Sequence, residues 1–108
     1  MILTEKELEI MTLIWSTDEP MTAAEIIKAS ENRTWRAKSI FVIMNSLLRK
    51  KVIVLANLKP TSTNTARAYR AALSAEEYAV SLICGAGKLQ IPIDVDLFIK
   101  HLKQTFEE

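Results

Sequence analysis

The hydrophobic pattern of the sequence changes its period near residue 52, and this change limits the folds open to the chain. Before it, apolar residues recur at the three- and four-residue spacing of amphipathic helices over about residues 5–16, 22–30 and 37–50. After it, residues 52–58 are rich in β-branched side chains, residues 66–72 alternate like a strand, and a turn-forming loop joins them. The order predicts three helices followed by a β-hairpin.

Three capping-box patterns indicate where helices begin. In each pattern a Thr or Ser is followed three residues later by Glu, so that hydroxyl and carboxylate satisfy free N–H groups of the first turn. The pairs are Thr4 with Glu7, Thr22 with Glu25, and Ser74 with Glu77. The third pair predicts a fourth helix through about residue 83. Asp94 predicts the start of a last helix, and Gly85 and Gly87 predict a hinge between the two.

The last predicted helix carries an apolar stripe that needs a partner. Little chain remains to cover the stripe, so it packs either against the first domain or against a second copy of the chain. A homodimer held by this stripe is therefore one hypothesis. The stripe consists of Val95, Phe98, Ile99, Leu102 and Phe106.

The formal net charge of +1 hides an uneven distribution of charge. Residues 32–75 contain nine Lys and Arg side chains and no Asp or Glu, whereas the segments on both sides are acidic. A basic segment of this kind indicates a polyanionic partner. Its cations are Arg33, Arg36, Lys38, Arg49, Lys50, Lys51, Lys59, Arg67 and Arg70.

Three helices followed by a hairpin, with the cations on the third helix and the hairpin, are typical of a winged helix-turn-helix domain that binds DNA. In such a domain the third helix enters the major groove and the hairpin, or wing, lies along phosphates. We predict a mainly α fold with a winged-helix DNA-binding domain over residues 1–73 and a helical dimerisation region over residues 74–108. A winged-helix module that binds an acidic protein without reading DNA is the alternative, and binding of single-stranded nucleic acid is a weaker third interpretation.

The predicted DNA-binding residues fall into two groups. The first group lies on the outward side of the third helix or just before it, and comprises Arg36, Lys38, Ser39, Phe41, Val42, Asn45, Ser46 and Arg49. The second group lies on the wing and is expected to contact phosphates, which position the protein without specifying sequence. It comprises Lys59, Arg67 and Arg70. Trp15 and Trp35 are predicted to pack in or beside the core rather than to stack on bases.

Other classes of protein fit the residue types poorly. One histidine (His101), one cysteine (Cys84) and no glycine-rich phosphate loop provide no catalytic group, metal site or cofactor site. Cys84 is expected to be a small buried hydrophobe rather than a redox sensor. The sequence has no membrane-length apolar run and no signal-peptide pattern, and one cysteine fits a reducing compartment. We therefore expect a cytoplasmic protein that is not an enzyme.

The beginning of the chain contains a motif that is known from one protein family. Residues 3–11 (LTEKELEIM), followed by Ile14 and Trp15, fit the pattern "L-T-x-x-E-x-x-[IV]-M…[IL]-W". This pattern resembles the opening of the BlaI/MecI/CopY repressors of penicillinase, methicillin-resistance and copper-transport genes. Further matches run in the same order along residues 22–27, 35–40, 47–50, 67–69 and 74–78. The resemblance implies a bacterial homodimeric repressor that binds a near-palindromic operator and leaves it on a signal, by proteolysis or by metal binding.

Several positions depart from the family pattern. Arg36 stands where the family has a helix-capping Ser or Thr, a role that Asn32 or Thr34 could assume. Lys51 replaces the glycine that ends the recognition helix, which predicts a different geometry there. Phe41 and Val42 occupy outward positions that are polar in many relatives, where they either contact thymine methyl groups or are buried under the wing. The sequence lacks the C-terminal cluster of four cysteines that the copper-responsive branch of the family carries. It also lacks the Asn-Phe bond that is cleaved in the resistance repressors. The sequence therefore indicates no inducing signal.

Overall fold

The computed structural model describes residues 2–84 and 93–107, and their fold is mainly α, with a winged helix-turn-helix arrangement, as predicted. In chain order the elements are α1 (Glu5–Trp15), β1 (Met21–Thr22), α2 (Ala23–Ala29), a 3-10 turn (Ala37–Ser39), α3 (Ile40–Arg49), β2 (Ile53–Pro60), β3 (Thr65–Ala71), α4 (Ala75–Cys84) and α5 (Val95–Glu107). The hinge predicted at residues 85–87 and the side chain of Cys84 lie outside the described residues.

The strands form one antiparallel sheet in the order β1-β3-β2. The wing is the β2–β3 hairpin, with Ile53 opposite Ala71 at its base and Pro60 opposite Thr65 at its tip. A register shift between Leu55 and Asn57 marks a β-bulge in β2. The sequence pattern does not predict β1, because two residues are too few to show the alternation of a strand.

The three predicted capping boxes are all present and fix the starts of α1, α2 and α4. At α1, the Thr4 N–H donates to Glu7 Oε1 over 2.8 Å, and the Glu7 N–H donates to Thr4 Oγ1 over 3.2 Å. The same reciprocal pairs form at Thr22 with Glu25 and at Ser74 with Glu77. These helices begin where predicted because a capping box needs only residues three apart in sequence.

The core lies between α1, α2, α3 and the base of the wing. The fully buried large side chains are Ile10, Met11, Ile26, Ile40, Leu47, Val52 and Ile53. Trp35 is also buried, and Trp15 is half-buried with its indole N–H donating to the Leu73 carbonyl over 2.9 Å. The prediction that both tryptophans serve packing is confirmed.

The expectation of a different geometry at the end of α3 is wrong. Lys51 has a φ of 61°, the left-handed conformation that glycine adopts at this position in many helices. The Lys51 N–H donates to the Leu48 carbonyl, and the Val52 N–H donates to the Leu47 carbonyl, which together form a Schellman motif. Because Val52 and Leu47 are both fully buried, their packing holds the motif closed with lysine in the strained position.

The first turns of α4 are attached to the winged-helix core. Tyr78 is buried, its hydroxyl oxygen accepts a hydrogen bond from the Leu3 N–H over 3.0 Å, and its ring lies 5.9 Å from that of Trp15. By contrast, no described residue of α5 is buried. α4 is therefore anchored to the winged-helix core, whereas the described residues leave the apolar stripe of α5 open.

Candidate DNA interface

The two sides of α3 have opposite characters. Helical spacing in the sequence predicts an inward stripe of Ile40, Met44, Leu47 and Leu48, with Ile43 beside it. All of these side chains are buried in the core except Leu48, which is half-buried. The outward side chains of α3 recur at three- and four-residue spacing and are all exposed to solvent. They are Phe41, Val42, Asn45 and Arg49. Ser46, which the sequence also predicts on this face, is half-buried, so the exposed part of the predicted recognition face is formed by the other four side chains.

A cleft of about 400 Å³ separates α3 from the wing, and we call it the wing cleft. Phe41 and Asn45 line it from α3, and Arg67 and Tyr69 line it from β3. The rest of its lining comes from Thr65 and Ala66 of β3 and from Thr22, Ala23 and Ala24 at the start of α2. The fold thus brings residues of the predicted helix group and wing group together around one opening.

Arg70 points to a different part of the molecule from Arg67. It lines a second cleft of about 370 Å³, together with Trp15 of α1 and Glu77 of α4, and its guanidinium donates to the Ala71 carbonyl over 3.3 Å. Alternation along β3 places Arg67 and Arg70 on opposite faces of the strand. Only Arg67, of these two, contributes to the wing cleft.

The segment that leads into α3 is exposed and cationic. Arg36 and Lys38 are exposed and Ser39 is half-buried. Neither Arg36 nor Ser39 makes a side-chain capping hydrogen bond. Thr34 does not take over this role, because its backbone N–H and its hydroxyl both donate to the Glu9 carboxylate.

Two further residues of the predicted DNA-binding set, Lys59 and Ser46, also make side-chain contacts within the protein. Lys59 Nζ donates to the Pro20 carbonyl over 2.6 Å and lies 3.1 Å from Glu25 Oε1. The Thr22 N–H and then the Lys59 ammonium hold the pKa of Glu25 below its usual value. Ser46 is half-buried, and its hydroxyl donates to Glu7 Oε2 over 2.7 Å.

The contact of Ser46 belongs to a polar network under the end of α3 that sequence reasoning missed. Lys50 Nζ lies 2.6 Å from Glu7 Oε1 and also donates to the Ile2 carbonyl. Burial by itself raises the pKa of Glu7, but hydrogen bonds from Lys50, the Thr4 N–H and Ser46 outweigh it and lower the pKa from 4.5 to about 2. The capping box in the sequence predicts the hydrogen bond of Glu7 with the Thr4 N–H, but it does not predict the contacts of Glu7 with Lys50 and Ser46.

The predicted dimerisation stripe is largely uncovered. Val95, Ile99 and Leu102 are 59%, 42% and 44% exposed, Phe106 is 81% exposed, and Phe98 is half-buried. Leu97, which the predicted stripe omits, is also half-exposed.

Within residues 2–84 and 93–107, no group of three or more His, Cys, Asp or Glu side chains could hold a metal ion. No helix in the described ranges is long and apolar enough to cross a membrane.

Comparison with known proteins places the chain in a family. No curated protein sequence matches it. Among solved structures, it is similar to a ferric uptake regulator from Francisella tularensis with iron, at 12% sequence identity and a TM-score of 0.49, with 86% of each chain covered. The family model described as penicillinase repressor matches residues 3–86, which is most of the chain. The chain therefore belongs to the penicillinase repressor family.

Proposed function

We propose that the protein is a homodimeric transcriptional repressor that reads a near-palindromic operator in double-stranded DNA. Its family is one of transcriptional regulators, which are not enzymes. The observation that carries the proposal is the wing cleft, where Phe41 and Asn45 of α3 face Arg67 of the wing across one opening. A major-groove helix beside a phosphate-binding wing requires this juxtaposition.

The proposed contacts follow the position of each side chain. The outward side chains of α3 read base edges, while Arg36, Lys38 and Arg49 at the two ends of the helix are placed for phosphates or bases. Arg67 binds phosphate from the wing. Lys59 contacts phosphate only when it exchanges its ion pair with Glu25 for the phosphate. Arg70 contacts phosphate from the opposite face of β3.

The proposed dimer is held by residues 74–108, with residues 1–73 forming the DNA-binding domain of each protomer. The open stripe on α5 supports this proposal, because apolar side chains left uncovered in one chain are buried when two helices pair. A twofold dimer presents two recognition helices, which is why the operator is near-palindromic. On this proposal the protein acts on bacterial DNA in the cytoplasm.

Binding of duplex DNA at several salt concentrations tests the proposed function. Three wing cations in each protomer make six phosphate contacts in the dimer, so we expect the logarithm of affinity to fall with the logarithm of salt at a slope of about −5, and at a steeper slope if cations of the helix group also contact phosphate. Arg67→Ala removes two contacts from the dimer, so the slope becomes less steep by about 2 and affinity falls similarly for every sequence. A protein that binds no duplex at low salt is instead the module that recognises an acidic protein.

Sedimentation at micromolar concentration tests the dimer separately. We expect the wild-type protein to sediment as a dimer and Phe98→Asp to sediment as a monomer, because a carboxylate in a paired apolar stripe is left without a partner. Thr12→Asp is the matched control, since Thr12 is exposed on α1 and lies outside residues 74–108. A wild-type monomer would remove the dimer from the proposal.

A further inference from the structure

The outward face of α3 begins with two large apolar side chains that the described part of the chain leaves mostly exposed. Phe41 is 66% exposed and Val42 is 71% exposed, although Ile40 and Ile43 beside them are buried. The wing does not bury them, which removes one of the two interpretations left open by the sequence. Exposed apolar side chains grouped at a binding surface indicate a partner that covers them.

The surroundings of Phe41 and Val42 define the chemistry of that partner. Arg36 and Lys38 lie just before them in the chain, and Arg67 lines the wing cleft opposite Phe41. A partner for this surface therefore carries negative charge on its flanks and an apolar group between them. The major groove of DNA has this character, because phosphates border it and the 5-methyl group of thymine is an apolar group exposed within it.

We propose that Phe41 and Val42 specify thymine in the operator by covering its 5-methyl group. This inference rests on the proposed function, since it identifies the bases that the same surface reads. In helix-turn-helix domains the N-terminal residues of the recognition helix contact base edges, and Phe41 and Val42 lie in the first turn of α3. Asn45, one turn later on the same face, carries an amide that matches adenine and so suits the same A·T pairs.

Covering one methyl group sets the size of the expected effect. Removing a buried methyl group from an interface weakens binding about fourfold. Each protomer of the dimer reads one half-site, so the losses at the two half-sites multiply. Removing the methyl group from both half-sites therefore weakens binding about fifteenfold. The hydrogen-bonding groups of the base pair are unaffected.

Substitution of deoxyuridine for thymidine provides the test, because it deletes only the 5-methyl group. Bound sequences are first selected from random duplexes with the full-length protein, and each thymine of the selected site is then replaced in turn. We expect an approximately fourfold loss at one or two positions per half-site and no loss elsewhere. In the double variant Phe41→Ala, Val42→Ala, measured at a salt concentration low enough for it to bind, the same replacement leaves the affinity unchanged.

Two controls separate the possible outcomes. Ile2→Ala changes an apolar side chain that is 76% exposed outside the interface, and it retains the full deoxyuridine effect. Thermal melting of the double variant should show a folded protein, because both positions are exposed. Absence of binding to any duplex at low salt overturns the proposed function together with this inference.

The inference fails alone if the protein binds selected duplexes and deoxyuridine has no effect at any position. It also fails alone if the double variant keeps the deoxyuridine effect, since other side chains then recognise the methyl groups. A double variant that changes the sedimentation of the free protein but retains the deoxyuridine effect shows that Phe41 and Val42 pack against another protein surface.

Discussion

Replacing Glu7 by Gln tests the buried network that joins the start of α1 to the end of α3. The Glu7 side chain is almost fully buried and contacts Lys50 and Ser46, which follow it by 43 and 39 residues in the chain. Its carboxylate is stabilised in the folded state, since its pKa is about 2 rather than 4.5. A difference of that size corresponds to about 3 kcal/mol of folding free energy.

The sign of the pH dependence follows from the lowered pKa. Above pH 5 the carboxylate is ionised in both states, and its full contribution is present. As the pH falls through 4.5, the unfolded chain takes up a proton before the folded protein does, so the contribution declines. We expect about 2 kcal/mol of it to be lost by pH 3, and nearly all of it to be lost once the pH is below 2.

The assay is urea unfolding followed by the fluorescence of Trp15 and Trp35 at fixed protein concentration, from pH 6 to pH 3. The difference in unfolding free energy between the wild-type protein and Glu7→Gln should shrink by about 2 kcal/mol over this range. Glu5→Gln is the matched control, because Glu5 is exposed in the same first turn. A difference that stays constant with pH would refute the reasoning.

Three further substitutions test other features of the structure. Lys51→Gly should raise the free energy of unfolding by about 1 kcal/mol, because glycine adopts the left-handed conformation without strain. Tyr78→Phe should lower it by about 1–2 kcal/mol, because the buried Leu3 N–H loses its acceptor. Glu25→Gln should raise DNA affinity at low salt by up to about fivefold, because it releases Lys59 from an ion pair.

Each of these substitutions has a matched control. Lys50→Gly should destabilise the protein, because Lys50 has right-handed φ and ψ and pairs with Glu7. Tyr69→Phe is the control for Tyr78→Phe, because it removes a tyrosine hydroxyl from β3 and leaves the acceptor of the Leu3 N–H in place. Glu19→Gln removes an exposed acid for which the structure shows no contact with Lys59, so it should not alter the affinity. Equal effects of a substitution and its control would contradict the corresponding explanation.

Local sequence determined the helix starts, the inward stripe of α3 and the hairpin. Capping boxes and hydrophobic periodicity act between residues three or four apart, so their outcome depends little on the rest of the chain. The charge distribution likewise placed the cations on α3 and the wing. The exposure of Phe41 and Val42 was not determined in this way, because a wing folded closer to α3 would have buried both.

Only the tertiary structure decided which polar groups meet and how α3 ends. The network of Glu7 with Lys50 and Ser46, and the pair of Lys59 with Glu25, join residues far apart in sequence. Lys51 is left-handed because buried Leu47 and Val52 hold its neighbours in place. Such contacts depend on how helices and strands pack together, and packing free energy outweighs the conformational preference of one residue.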